Sequence, residues 1–433
     1  MLRSIIAAFL SFPMAVSAQT SQLSDQEISD AYIYLLGRLL VTRQQQLDFQ
    51  SGFKWNELVH QKPGAVDWPN PNLDVAYSEA WVAVDDKSCT VVSVPKVEKR
   101  YFTVQVLNGW GETLTNINER LFPTRPSGEF ALCLRGAKAE IPADAVRIDL
   151  PVRLARILAR VELGDDWTQA VALQNQFKLR ATGSPALPDI PKTPIFELQQ
   201  FPGVEAFDAA AVALDSEPDI NTGLEPMREK VRAIAKLASA PGERSRIDQV
   251  IRTKAFADFG AAGARIGHGT IQNHWARPGV VGEYGIDYLT RTLVNYGGIW
   301  ANIKPEVLYY RSNTDASGAQ LNGDNVYTLT FPKEGLPAKF ANYFWSVIAV
   351  DGERFRVLPN AKNRFLLNRE TKPELNADGS LTLYFADQKP ADAPDGNWLP
   401  TPKGSVYRLT FRYYGPTEGV ANGTYYPPAL VKR

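Results

Sequence analysis

The chain has 433 residues, 44% hydrophobic and 22% charged, an ordinary globular composition with length for two domains of usual size. Its 47 basic and 47 acidic residues cancel to a formal net charge of +0, which leaves no electrostatic footprint for nucleic acid or an anionic membrane. Three histidines and two cysteines are little material for a metal cage, while 30 prolines, 31 glycines and 11% aromatics lean toward many short strands joined by turns.

The first residues, MLRSIIAAFLSFPMAVSAQTSQ, place Arg3 before an apolar run and Val16-Ser17-Ala18 before Gln19. This is the pattern of a secretory signal over residues 1–18, cut after Ala18, so a periplasmic or secreted mature protein is expected. The alternative, a membrane anchor, fits less well because the run is short for a bilayer, and no later stretch reads as a span.

A helix follows at SDQEISDAYIYLLGRLLVTRQQQLDFQ, opened by a Ser24-x-x-Glu27 capping box with Ile28, Tyr32, Leu35 and Leu39 at helical spacing. From Asp74 to Arg135 the text is strand-like: VAYSEAWVAV, CTVVSVP, YFTVQVLN and FALCLR. Cys89 and Cys133 sit in two of these runs, and an oxidising compartment would let them pair, which is worth roughly 4 kcal/mol by chain entropy. The alternative is two separate buried thiols. LPVRLARILARVELGDDWTQAVALQNQFKL then reads as helical, with Leu154, Ile157, Leu158 and Val161 on one face and Arg153, Arg156 and Arg160 on another. That arginine row could hold an anion, but reads more simply as a solvated face or as pairs with local carboxylates.

A proline-rich connector from Pro185 to Pro202 leads to a helical stretch in which GLEPMREKVRAIAKLASAPGE ends on a Pro-Gly stop. DYLTRTLVNYGGIWANI is helical, and strands return at EVLYYRS, NVYTLTFP, YFWSVIAV, SLTLYFA and VYRLTFRYYG. These readings divide the chain into the signal, an N-terminal unit over 19–180, a connector and helical region over 181–283, and a C-terminal unit over 284–433.

The two strand-rich blocks echo one another. DVAYS at Asp74–Ser78 matches EVLYY at Glu306–Tyr310, TVVSVPK matches TLTFPK, and YFTVQVLNG matches FWSVIAVDG without a gap, which sets Asn108 opposite Asp351. Agreement in order favours an internal duplication; shared strand vocabulary is the plainer alternative. The fold expected is mainly β with helical segments: two antiparallel β-sandwich or jelly-roll-like domains joined by a helical region.

The chain has no Gly-x-Ser-x-Gly elbow, no phosphate-binding loop, and no dinucleotide fingerprint between a strand and a helix, so no nucleotide or redox cofactor motif is seen. His268 and His274, with Asp287 or Glu283, match no established zinc spacing and read as loop or packing residues; His60 is isolated. The carboxylates are better candidates: Asp74 and Glu306 begin corresponding strands, and Asp351 ends one. Converged and buried, such groups could do acid–base work; apart, each would accept backbone N–H bonds beside a turn.

PNLDVAYSEAW, RYFTVQVLNGWGETLTNINER and LPVRLARILARVELGDDWTQAVALQNQFKL resemble the N-terminal half of a bacterial group known as domain of unknown function 1254. GEYGIDYLTRTLVNYGGIWAN, FANYFWSVIAVDG and GNWLPTPKGSVYRLTFRYYGP resemble its customary C-terminal companion, domain of unknown function 1214. In the first motif Leu73, Val75 and Ala76 replace the usual Asn, Thr and Leu, while Pro71, Asn72, Asp74, Tyr77 and Ser78 remain. The resemblance implies tandem β-sandwich-like domains, commonly exported, and supplies no reaction.

Two functions are expected from this reading. One is an enzyme of hydrolase or lyase type acting on a small molecule or carbohydrate in an inter-domain cleft, with Asp74 and Asp351 catalytic and Tyr77, Trp110, Arg120, Trp345 and Arg364 binding substrate. The other is a noncatalytic ligand-binding or assembly protein whose β faces make a homo-oligomer.

Overall fold

The computed structural model describes residues 23–64, 69–357, 359–360 and 362–433; the expected signal lies outside the described residues. The chain opens with α1 (Asp25–Gln50), whose capping box forms between Ser24 and Glu27. The first β unit follows: β1 (Val59–His60), β2 (Val75–Ala83), β3 (Thr90–Val94), β4 (Phe102–Leu107), β5 (Thr113–Ile117), β6 (Gly128–Leu134), β7 (Val146–Leu150), β8 (Leu154–Glu162), α2 (Trp167–Gln174) and β9 (Lys178–Ala181). A helical region holds α3 (Glu205–Asp208), α4 (Ala210–Asp215), α5 (Glu225–Leu237), α6 (Pro241–Val250) and α7 (Phe256–Gly263). The second β unit comprises β10 (Thr270–Gln272), β11 (Trp275–Arg277), α8 (Tyr288–Gly298), β12 (Val307–Ser312), β13 (Tyr327–Phe331), β14 (Ala341–Asp351), β15 (Leu366–Asn368), β16 (Leu381–Ala386), β17 (Trp398–Pro400), β18 (Tyr407–Pro416), α9 (Glu418–Asn422) and β19 (Val431–Lys432).

The strand orders establish the duplication. The first unit has sheets β1-β2-β8-β4-β5 and β7-β6-β3-β9; the second has β10-β11-β12-β18-β14-β15 and β17-β16-β13-β19. Apart from the extra edge strand β10, each strand of the first unit has a partner ten numbers later in the same place. The parallel pair β6·β7 recurs as β16·β17. Register makes the correspondence residue by residue. Val75 lies opposite Glu162 as Val307 lies opposite Tyr414, and Phe102 opposite Val161 as Trp345 opposite Tyr413. Arg160 therefore corresponds to Arg412.

Each unit is a sandwich. Val82, Val92, Val104, Phe130 and Ile157 share one core, and Leu308, Leu329, Val347, Leu383 and Phe411 the other. A third core joins α1, the helical region and α8. There Gly37 lets α1 meet α8, since a Cβ would stand 2.5 Å from Thr292 Oγ1. Cys89 and Cys133 form a disulfide with Cα atoms 4.5 Å apart, the spacing of directly opposed antiparallel residues outside a hydrogen-bonded pair. Among the described residues no helix is long and apolar enough to cross a membrane.

Two local expectations are corrected. Residues 154–162 are the strand β8 rather than a helix, paired with β2 on one side and β4 on the other and buried along their whole length. Arg156 and Arg160 consequently lie on one buried sheet face instead of a solvated one, and Arg156 pairs with the carboxylates of Asp48 and Glu79. Pro241-Gly242 does not simply stop a helix: Pro241 opens α6, where its fixed φ and missing N–H suit the first turn.

Candidate functional site

The two units clasp each other through the segments that precede β2 and β12. The Asn70–Asp74 segment lies on the second unit: Arg412 Nη2 donates to the carbonyls of Asn70 (2.8 Å) and Pro71 (3.0 Å). Thr410 donates to Asn70 Oδ1 and Asn72 donates to Tyr414 Oη. The Trp300–Glu306 segment lies on the first unit in the same way. Arg160 Nη2 donates to the carbonyl of Trp300 at 3.0 Å, and Asn302 and Asn116 exchange two amide hydrogen bonds. Arg160 spreads its fork over the Tyr77 hydroxyl, Gln105 and the Trp300 carbonyl, which makes its burial tolerable, whereas Arg412 reaches its two carbonyls through Nη2 alone.

Each segment ends in a carboxylate set into the partner unit's large sheet. Glu306 is closed in: Asn118 Nδ2 donates at 2.8 Å, Tyr101 Oη at 3.1 Å, and Arg120 grips both oxygens at 3.0 and 2.6 Å. The Arg120 guanidinium also lies 5.0 Å from the Tyr101 ring centre and 4.9 Å from that of Tyr343. Asp74 is set into the equivalent place, where Ser346 Oγ donates at 2.6 Å and Asn368 Nδ2 at 3.3 Å. Ser346 and Asn368 are directly opposed on β14 and β15.

Around Asp74 the structure is open. A cavity of about 440 Å³ lies between the units, lined by Asp74, Glu162 and Trp167 from the first and by Phe344, Arg364 and Glu370 from the second, among others. Burial pushes the Asp74 carboxyl above its ordinary 3.8, against Arg412 and the hydrogen bonds from Ser346 and Asn368, while Glu370 adds to the rise. Burial also raises Glu162, opposed by the Tyr101 N–H and by Arg369. Arg369 stands at the rim, half exposed, and pairs with both Glu162 and Glu370.

The expected site residues separate. Asp74 and Arg364 line the cavity, although Arg364 pairs with Asp395 at 2.7 Å and donates to the Trp398 carbonyl. Asp351 does not join Asp74. It stands five residues beyond Ser346 on β14, about 16 Å away by strand rise, and accepts the backbone N–H groups of Glu353, Arg354 and Arg356. It is turn chemistry, as is its counterpart Asn108, which accepts from Trp110 and Glu112. Arg120 serves Glu306. Tyr77 packs against Arg160, Trp345 stacks on Phe411 inside the second sandwich, and Trp110 is buried against Tyr34 and Arg291.

The histidines stay apart in their contacts: His268 pairs with Asp287 at 3.0 Å, His274 meets Thr314, and His60 meets Ser78. Among the described residues no group of three or more His, Cys, Asp or Glu could hold a metal ion.

Sequence reasoning missed Glu162, Phe344, Asn368 and Glu370. A signal existed: Asn118-Glu119-Arg120 and Asn368-Arg369-Glu370 are the same motif with its charges exchanged. In both, the Asn side chain accepts the N–H groups two and three residues on. That cap is the Asx turn.

No curated protein matches this chain. Among solved structures, the VPA0106 protein from Vibrio parahaemolyticus is similar with a TM-score of 0.64 at 20% identity, over 94% of this chain and 99% of that one, a likeness of fold alone. An uncharacterised protein from Burkholderia cenocepacia matches at a TM-score of 0.46 and 15% identity, over 93% of this chain and 86% of the other. DUF1254, a protein family of unknown function, matches residues 55–181, and DUF1214, likewise of unknown function, matches residues 306–418. The chain therefore belongs to the proteins that carry a DUF1254 domain in the first half and a DUF1214 domain in the second.

Proposed function

We propose that this is an exported protein that binds a small polar molecule in the cavity between its two units, with Asp74 as the anchoring carboxylate. The observation that carries this reading is the open space at Asp74, where the other half of the same fold is filled by protein side chains. Buried carboxylate, neutral donors and aromatic faces converge there, as in small-molecule sites. The disulfide and the leader-like first residues support export to an oxidising compartment.

A second reading, turnover of hydrolase or lyase type, is favoured by one observation: burial raises the Asp74 carboxyl above its ordinary range beside Glu162 and Glu370. A carboxyl poised in that way can give a proton to a bound molecule and take one back.

The mature chain from Gln19, beside its Asp74→Asn and Trp167→Ala variants, is to be screened by thermal shift and turnover against pooled oligosaccharides, small esters and polar metabolites. A ligand that stabilises the native chain and is lost by both variants is the expected result. If no pool shifts the melting temperature, the cavity reading fails. Turnover abolished in Asp74→Asn adds the second reading, and binding without turnover removes it.

A further inference from the structure

We propose that the ligand of this cavity carries a cationic group, a guanidinium or primary ammonium, seated between Asp74 and Glu370 where the opposite half seats the guanidinium of Arg120. The inference rests on the cavity reading above and names the chemistry that the cavity selects.

The duplicated fold supplies the comparison within one molecule. Residue 370 corresponds to residue 120 without a gap, because Asn118 and Asn368 hold the same place after β5 and at the end of β15. They also cap the same backbone turn, so the side chains at 120 and 370 start from matching positions. In the closed half that side chain is an arginine, and it spans to Glu306 with two hydrogen bonds. In the open half it is Glu370, which cannot make that bridge and reverses the charge.

Two further changes enlarge and alter the open half. Glu306 is replaced by the shorter Asp74, one methylene less, and Tyr101 by Phe344, whose ring lacks the hydroxyl that donates to Glu306. The aromatic face survives: Tyr101 lies against the Arg120 guanidinium, and Phe344 lines the cavity at the equivalent place. A cation entering from solvent would meet the Asp74 and Glu370 carboxylates and a ring face together; Arg120 is likewise held by two carboxylates, Glu306 and Glu119, and by ring faces, although the place of Glu119 is taken by Arg369 in the open half. The hydrogen bonds to Asp74 come from Ser346 and Asn368, both neutral. Arg369 engages Glu162 and Glu370 from the rim, and Lys362 and Arg364 are paired with Asp395.

The test uses the mature full chain with butylguanidine and butylamine as probes, and butylurea as the neutral isostere, measured by calorimetry and thermal shift. Butylguanidine or butylamine is expected to bind at least about tenfold more tightly than butylurea. Glu370→Arg places the counterpart side chain into the cavity, so it should lose probe binding by at least about tenfold while its melting temperature holds or rises. Should that variant not fold, Glu370→Gln is expected to weaken the probe by about threefold or more. Equal binding of butylurea, or undiminished binding to the Glu370 variants, overturns the proposal. Neutral ligands that bind in an Asp74-dependent way, with no cation bound, would sink the cationic class while leaving the cavity reading in place. No ligand of either kind would sink both.

Discussion

Asp74 and Glu306 occupy one position in two copies of a fold, and their neighbours give them opposite chemistry. Glu306 has a guanidinium on both oxygens, whereas the hydrogen bonds to Asp74 come from a hydroxyl and an amide. Burial therefore dominates at Asp74 and raises its carboxyl above 3.8. The stability consequence has a definite sign. Below about pH 3.8 the group is protonated folded and unfolded alike, and contributes its full share. As pH rises from there through the folded value, the unfolded chain ionises first, so this share is lost. Urea midpoints of the native chain and of Asp74→Asn, taken from pH 4 to 8, should show the native chain losing ground to the variant as pH rises. A difference that stays constant, or moves the other way, would show that Arg412 and the hydrogen bonds outweigh burial. The sequence marked Asp74 as a residue at the start of a duplicated strand. It could not mark Glu162 and Glu370 as its neighbours, because one lay in a segment read as helix and the other outside any recognised strand.

At the scale of elements, β8 shows why the reading from sequence failed where it did. Along β8 the residues Ala155, Ile157, Ala159 and Val161 face the first sandwich core, while Leu154 and Leu158 face a second apolar cluster on the other side. A strand buried on both faces loses the apolar–polar alternation that identifies strands, and Arg156 and Arg160 four residues apart imitate a helical stripe. Its counterpart β18, YRLTFRYYGP, was legible because aromatic and β-branched residues dominate it. Carrying the duplication through would have aligned the two and placed Arg160 on Arg412. Equivalent positions imply equivalent work. Arg160→Met would orphan the carbonyls of Trp300 and the Gln105 side chain, and Arg412→Met those of Asn70 and Pro71. Each orphaned buried acceptor costs about 1–3 kcal/mol, so the two variants should lose similar stability with unchanged m-values. A large loss in one variant and none in the other would break the symmetry argued for the clasp.

For the whole molecule, the duplication was legible from strand order, but the way the copies meet was not. The residues that join them, Asn70, Asn72, Asn302 and Arg160, are scattered polar positions whose partners lie 140 to 342 residues away. Apolar contacts run the same way: Val75, Tyr101, Val307, Phe344 and Tyr414 form one cluster drawn from both units. The third core likewise needs α1 from the start of the chain, the intervening helices, and Leu293 of α8. Neither unit thus owns all the surfaces that its buried groups require. Made alone, a chain of residues 265–433 would expose the sheet face that receives Asn70–Asp74, and would leave Arg412 and Asn368 without those partners. A chain of residues 23–264 would lack the Trp300–Glu306 segment and the helix packed at Gly37. The intact protein should unfold in a single transition, with near-ultraviolet circular dichroism and tryptophan fluorescence coinciding. The two fragments should show no sharp transition when separate, and should recover one, copurifying, when produced together. A cooperative transition in residues 265–433 alone, with an m-value fitting its size, would show that the C-terminal sandwich stands by itself and that the clasp is an added contact rather than a condition of folding.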